Sequence, residues 1–278
     1  MSERLNSLGL IGCGKMGGAI AQAVVARGVV SPERLLLADR ADARAAALAD
    51  LTGGRVAPSV EDLGRDAEVV VLAVKPQDAV KALAAVRWPQ GEPRTVISVV
   101  AGLRLETLQG ALPDSVAVVR AMPNTPALIG QGVTGVMSGS ERALEQARLV
   151  FEACGAVVVL EKEALFDPLT ALSGSGPAYV FVAIEALADG GVRMGLPRDV
   201  ALELATRTVH GSAALVSETG RHPAQLKDDV ASPGGTTING LAELERAGFR
   251  AALIEAVTAA TRRGQELGAQ AAKDGSNP

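Results

Sequence analysis

The sequence predicts an α/β domain with a doubly wound parallel sheet, followed by an all-helical domain. Three observations carry this. Up to about Glu161, short aliphatic runs alternate with Ala-rich helical stretches. Those runs are apolar throughout rather than every second residue, which implies strands covered by helices on both faces. Beyond about residue 162 the strand signals stop while a 3.6-residue periodicity continues. The expected domains are therefore 1–162 and 163–278, and 278 residues suffice for two.

The expected strands are Leu8–Ile11, Leu35–Ala38, Val69–Val74, Val96–Val100, Val116–Val119, Val133–Met137 and Val157–Leu160. Between them, Met16–Arg27, Asp42–Leu51, Asp78–Val86 and Glu141–Ala153 read as helices. In the second domain helices are expected over 177–195, 197–219 and 238–268. Gly195-Leu196-Pro197 marks a stop and restart, with Gly closing one helix and Pro opening the next. Ala-rich stretches such as Ala251, Ala252, Ala256, Ala259 and Ala260 make some of these helices apolar nearly all round. About 115 residues offer little interior to cover such helices, so a second copy of the chain is the expected source.

The first strand ends in Ile11-Gly12-Cys13-Gly14-Lys15-Met16-Gly17, a Gly-x-Gly-x-x-Gly array. The first glycine permits a tight turn and the second leaves bare backbone for a pyrophosphate. The third lets the helix pack closely on its strand, with its N-terminus facing the phosphates. The pattern alone is weak, but here a strand precedes it and a helix follows. An acid, Asp39, also closes the second strand, 22 residues past the last glycine, where a ribose ligand belongs. Asp39 suits a free 2′-hydroxyl and hence NADH, whereas Arg40 and Arg44 suit a 2′-phosphate and hence NADPH. The sequence leaves both open.

In an open α/β sheet ligands lie beyond the carboxyl ends of the strands. Lys75-Pro76, Val100-Ala101-Gly102 and Met122-Pro123-Asn124 fall on that rim. A solvated surface lysine is the plainer reading of Lys75. In the second domain, Ser173–Pro177 and Ser232-Pro233-Gly234-Gly235-Thr236-Thr237 each precede a helix. Small residues with free N–H groups there suit an anion such as a carboxylate, though ordinary capping explains part of the pattern.

Composition removes other classes. With 27 Lys+Arg against 31 Asp+Glu and 2% aromatics, nothing suggests a basic or base-stacking face for nucleic acid. Cys13 and Cys154 form no Cys-x-x-Cys pair and read as reduced thiols. The N-terminus lacks a signal-like apolar run, and the stretch Tyr179–Leu187 contains Glu185. The expectation is a cytoplasmic protein outside the membrane. His210 and His222 read as structural, and no residue cluster has metal-ligand spacing.

Six segments in order carry a resemblance: IGCGKMG, LAVKPQ (Leu72–Gln77), SVVAG (Ser98–Gly102), RAMPNTPALIGQG (Arg120–Gly132), LSGSGPAY (Leu172–Tyr179) and DDVASPGGTTINGL (Asp228–Leu241). Together they resemble the pyrroline-5-carboxylate reductases over nearly the whole chain, the last three being the most specific. The resemblance implies a Rossmann-type domain followed by a helical dimerisation domain that interlocks with its twin, the dimers sometimes gathered into rings. It implies hydride transfer from NADPH or NADH to the C=N bond of 1-pyrroline-5-carboxylate, giving L-proline.

Residue by residue, the resemblance carries the cofactor site onto Gly12, Gly14, Met16, Gly17, Asp39, Lys75, Pro76, Ala101 and Asn124. Ile11, Lys15, Arg40, Ala73, Val74 and Val100 flank these as further candidates. The substrate carboxylate is carried to Ser232, Gly235, Thr236 and Thr237, with Thr237 the catalytic candidate at the ring nitrogen. Glu163 is the counterpart of an acid that lines the same site. Family members often have a small neutral residue where Asp39 stands, so NADPH preference does not carry over.

Two rival readings share the layout: a β-hydroxyacid dehydrogenase or other imine reductase, and a non-catalytic dinucleotide sensor. The first generally uses a lysine in the helical domain, and none follows Tyr179 before Lys227. The second gives no reason for an anion-binding Pro-Gly-Gly-Thr-Thr loop.

Overall fold

The computed structural model describes residues 4–274. Strand β1 (Leu8–Ile11) runs into α1 (Lys15–Ala26), and β2 (Leu35–Ala38) into α2 (Asp42–Thr52). Then come β3 (Arg55–Val56), α3 (Leu63–Asp66), β4 (Val69–Leu72), α4 (Pro76–Ala85), β5 (Arg94–Ser98), α5 (Leu105–Gly110) and β6 (Val116–Met122). β7 (Gly132–Met137), α6 (Glu141–Glu152), β8 (Gly155–Val159) and the one-turn α7 (Phe166–Leu169) follow.

The strands form one sheet in the order β3-β2-β1-β4-β5-β6-β7-β8. The chain winds outward in both directions from β1 and β4, whose register pairs Ile11 with Leu72. That switch point opens a crevice at the carboxyl ends of these two strands. All pairings are parallel except β6 with β7, which is antiparallel. The expected doubly wound sheet is thus present, with one antiparallel pair in an otherwise parallel order. The link from β6 to β7 is the 3-10 turn Thr125–Ile129 and its flanks, too short for a crossover helix, so the chain must double back.

Successive residues of the inner strands feed opposite faces, as a pleated strand requires. Val69, Val71, Leu8 and Leu10 pack with Ile20, Val24 and Phe151 on one side. Val70, Leu72 and Ile11 pack with Leu63, Leu83 and Leu108 on the other. Each fully buried Val or Leu stabilises the fold by roughly 1.5–3 kcal/mol. β3 was not foreseen; it is two residues long and both are exposed, so it leaves no apolar trace.

The chain divides into two compact units, Ser175–Ala260 and the remainder, to which residues from Thr261 on return. Residues 163–174 pack with the first unit. The Phe166 side chain is buried and its ring lies 4.3 Å from the guanidinium carbon of Arg120, on β6. Glu163 bonds to the same arginine.

The second unit contains α8 (Gly176–Arg193), α9 (Arg198–Thr219), α10 (Pro223–Asp229), α11 (Thr236–Arg246) and most of α12 (Phe249–Asp274). The helix expected over 238–268 is two helices. Gly248, at φ +73°, breaks the run in a conformation that other residues rarely adopt. α8 and α9 meet through Ala188, Ala201 and Ala205, with Ile184 and Val192 against them. A Cβ at Gly191 would lie 3.3 Å from that of Ala201, so the pair is close-packed. His222 Nδ1 accepts from Ala224 N at 3.2 Å, capping α10 as its structural reading implied.

Candidate dinucleotide and substrate site

The glycine loop sits at the switch point. Gly12 N donates to Ala38 O at 2.8 Å, and Ala73 N donates to Ile11 O at 2.8 Å, so the loop is pinned between β2 and β4. Gly12 has φ +104°, and a Cβ there would lie 2.5 Å from Ala73 O. At Gly17 a Cβ would overlap the Gly12 carbonyl oxygen. Both positions therefore exclude a side chain for internal reasons. Gly14 is different: it is exposed, and a Cβ there would meet nothing within 4 Å. Its bareness is not needed by the fold.

Gly14 is the N-cap of α1 and offers no side-chain cap. The first helical N–H groups thus face outward beside a bare backbone, with the positive end of the helix dipole behind them. These features fit a dinucleotide pyrophosphate. Lys15 is exposed and Met16 half-buried beside them.

Asp39 follows β2. Its Oδ2 accepts from Cys13 N at 2.8 Å and its Oδ1 from Ala41 N at 2.9 Å. Arg40 is nearly free in solvent, with Asp78 Oδ1 3.8 Å away. Burial, and secondarily the Asp39 charge, push the Cys13 thiol up to about 12, so it stays protonated. Ala73 and Val74 lie beyond β4, and Lys75 is the exposed N-cap of α4 with Pro76 in its first turn. Val100 is buried and Ala101 exposed beyond β5.

Asn124 and Glu163 are held internally. Asn124 Nδ2 donates to the carbonyl and hydroxyl of Ser173, each at 3.3 Å, and its Oδ1 accepts from Val133 N at 3.0 Å. Glu163 Oε1 accepts from Leu105 N at 2.7 Å and Arg120 Nη1 at 2.9 Å. Arg120, which the sequence offered only as part of a motif, is the residue missed; a buried arginine in register with Ser98 on the next strand had no local signal.

In the second unit, Gly235 is the N-cap of α11 and Thr236 and Thr237 open the helix. Gly235 N donates to Ser232 O at 3.1 Å, and Asn239 Nδ2 donates to Gly235 O at 2.8 Å. A Cβ at Gly235 would run into the Ser232 hydroxyl, so Ser232, Gly235, Thr236 and Thr237 form one tight turn. No side chain caps α11, which leaves its first amides open to an anion. Among the described residues no group of His, Cys, Asp and Glu could hold a metal ion.

Pyrroline-5-carboxylate reductase from Synechocystis sp. is 47% identical over 264 residues, covering 94% of this chain and 98% of that protein. The chain belongs to the pyrroline-5-carboxylate reductase family. It is an oxidoreductase of that kind, using a nicotinamide dinucleotide. Residues 163–267 match the pyrroline-5-carboxylate reductase dimerisation domain, and residues 7–102 match the NADP oxidoreductase, coenzyme F420-dependent, domain. The Coxiella burnetii pyrroline-5-carboxylate reductase superposes with a TM-score of 0.89 at 31% identity, over 95% of this chain and 99% of that one. The Plasmodium falciparum enzyme, solved with NADP bound, gives 0.81 at 30% identity over 96% and 100%. In a pyrroline-5-carboxylate reductase the Gly12–Gly17 loop and the turn at Ser232–Thr237 are thus the two features to explain.

Proposed function

We propose that the chain reduces the C=N bond of 1-pyrroline-5-carboxylate to give L-proline, with NADPH or NADH as reductant. The observation that carries this is that each unit has an uncapped helix N-terminus, and the two differ in design. One, at Gly14, is shaped for a pyrophosphate; the other, at Gly235, presents hydroxyls beside open amides. When bound, the reduced nicotinamide supplies the hydride to the imine carbon. The first amides of α11 and the Ser232 and Thr236 hydroxyls hold the carboxylate, and Thr237 Oγ1 hydrogen-bonds the ring nitrogen where the proton ends. Glu163 and Asn124 support the rim through Arg120, Leu105, Ser173 and Val133, within the first unit.

The working form is a homodimer, and larger rings of dimers are the further possibility the family suggests. Support comes from the second unit, where only Ala188, Ala201 and Ala205 are buried while Phe181, Val182 and Ile254 are each more than 60% exposed. A unit with so small a core needs cover from outside itself. The helical run Glu163–Arg193 is also long and apolar enough to cross a membrane by composition, with 11% of its window buried. A dimerisation domain accounts for that apolar face without a bilayer, and two free thiols accord with a reducing cytoplasm.

The test is oxidation of NADPH and NADH followed at 340 nm with the purified chain and pyrroline-5-carboxylate. Substrate-dependent loss of absorbance is expected. Thr237→Ala should lower turnover by about 10²–10⁴ if the hydroxyl acts as a general acid. No turnover from protein that binds a dinucleotide would overturn the reading.

A further inference from the structure

We infer that Asp39 makes this chain selective for NADH over NADPH. The inference rests on the dinucleotide reading of the glycine loop and specifies its ribose end. Asp39 lies immediately after β2, beside the loop, and its carboxylate is not free to move. Oδ2 is held by the amide of Cys13 in the loop at 2.8 Å, and Oδ1 by the amide of Ala41 ahead of α2 at 2.9 Å. These are charge-assisted bonds to backbone on two elements, so swinging the carboxylate away would break both. Each oxygen keeps a further lone-pair site for an incoming hydroxyl.

A ribose with free hydroxyls can therefore add hydrogen bonds to a carboxylate already in place. A 2′-phosphate brings about 1.5–2 negative charges to the same anchored anion, and like charges at such range repel strongly outside bulk water. The cations that could offset this are differently placed. Arg40 has a side chain 90% exposed, with Asp78 3.8 Å away as its ion-pair partner. Arg44 is exposed on α2, and the nearby Asp42 is exposed as well. The acid beside the loop is thus fixed by two backbone amides, while Arg40 and Arg44 extend into solvent. This geometry favours a neutral 2′-hydroxyl, and NADPH enters only when a guanidinium swings in to screen the phosphate.

The experiment is direct binding of NADH and of NADPH to the purified full-length protein, titrated by nucleotide fluorescence without substrate. NADH is expected to bind at least tenfold more tightly. Asp39→Asn keeps an acceptor for the ribose and for one backbone amide but removes the charge, so the preference should shrink or invert. Asp39→Ser should move the ratio the same way. The double variant R40A/R44A should weaken NADPH several-fold more than it weakens NADH. Equal or tighter binding of NADPH by the unaltered protein, or an unchanged ratio in Asp39→Asn, overturns the inference. If neither dinucleotide binds, the cofactor reading of the loop falls with it. If both bind in the expected ratio without reducing pyrroline-5-carboxylate, the substrate reading fails and the selectivity stands.

Discussion

Arg120 and Glu163 form an ion pair at 2.9 Å that ties the end of β6 to the segment leading into α7. The arginine side chain is 9% exposed and its partner's 30%, so the pair is sheltered on one side. Glu163 also accepts from Leu105 N at 2.7 Å, which fixes the first residue of α5 and thereby the loop that carries Val100 and Ala101.

Removing one partner leaves the other with unmatched charge. Glu163→Ala should destabilise the protein by roughly 2–4 kcal/mol, since a truncated buried pair costs about 3–5 and this one is partly exposed. Glu163→Gln retains an acceptor for Leu105 N and should cost about half as much. Urea midpoints for the two variants, compared with Arg120→Met, check this. A loss below about 0.5 kcal/mol for Glu163→Ala would mean that the pair is merely a surface contact.

Gly14 and Gly17 should separate binding from folding. At Gly14 the φ is −76° and a Cβ would meet nothing, so Gly14→Ala should alter stability by no more than about 0.5 kcal/mol. The added methyl group projects where a pyrophosphate would approach, so dinucleotide affinity should fall at least tenfold. Gly17→Ala must displace the Gly12 carbonyl and should lose both stability and binding. Thermal unfolding and nucleotide titration, run in parallel, distinguish the two. Comparable unfolding of both variants would contradict the assignment of Gly14.

The sequence showed most of the first unit because its strands are apolar on both faces and its glycines fall in a spacing with one physical use. Asp39 was legible for the same reason, as an acid closing an apolar strand. What could not be read was pairing across distance. Arg120 and Glu163 are separated by 43 residues, and Asn124 and Ser173 by 49, with no local pattern marking either contact. The antiparallel setting of β7 was hidden as well, because a buried strand has the same apolar run in either direction. The break at Gly248 was lost inside an Ala-rich stretch that keeps helical periodicity on both sides.

Cys13 should be inert despite lying in the loop. Its Sγ donates to Ala38 O at 3.6 Å, and burial raises the thiol from 9.0 to about 12. A raised value means that the folded chain holds its proton where the unfolded chain loses it. Between about 9 and about 12 the unfolded state therefore binds fewer protons, and stability falls as pH rises through that window. Below about 9 both states keep the proton and Cys13 makes no difference. The expected result is slow reaction with a disulfide reagent at pH 8 and full reaction in denaturant. Cys13→Ala should reduce the alkaline loss of stability, measured by urea midpoints at pH 8 and pH 10.5. Rapid labelling of Cys13 in the native protein would contradict the half-buried, protonated thiol.

Phe181 should report on self-association. It lies on α8, is 62% exposed, and is flanked by Val180 and Val182, which are also exposed. A phenyl ring buried against a second copy is worth about 1.5–3 kcal/mol on each side of a symmetric interface. Phe181→Glu replaces that gain with the desolvation of a charge on both subunits at once. The variant should sediment as a smaller species at micromolar concentration. Its Tm should also fall, and the Tm of the unaltered protein should rise with protein concentration, because assembly stabilises by mass action. Sedimentation velocity over a hundredfold concentration range measures the first effect and differential scanning the second. If the unaltered chain sediments as a monomer throughout, the exposed α8 face belongs to another partner. If it is a dimer and Phe181→Glu leaves it so, the contact runs through other residues, and Ile254 on α12, 63% exposed, is the next position to change.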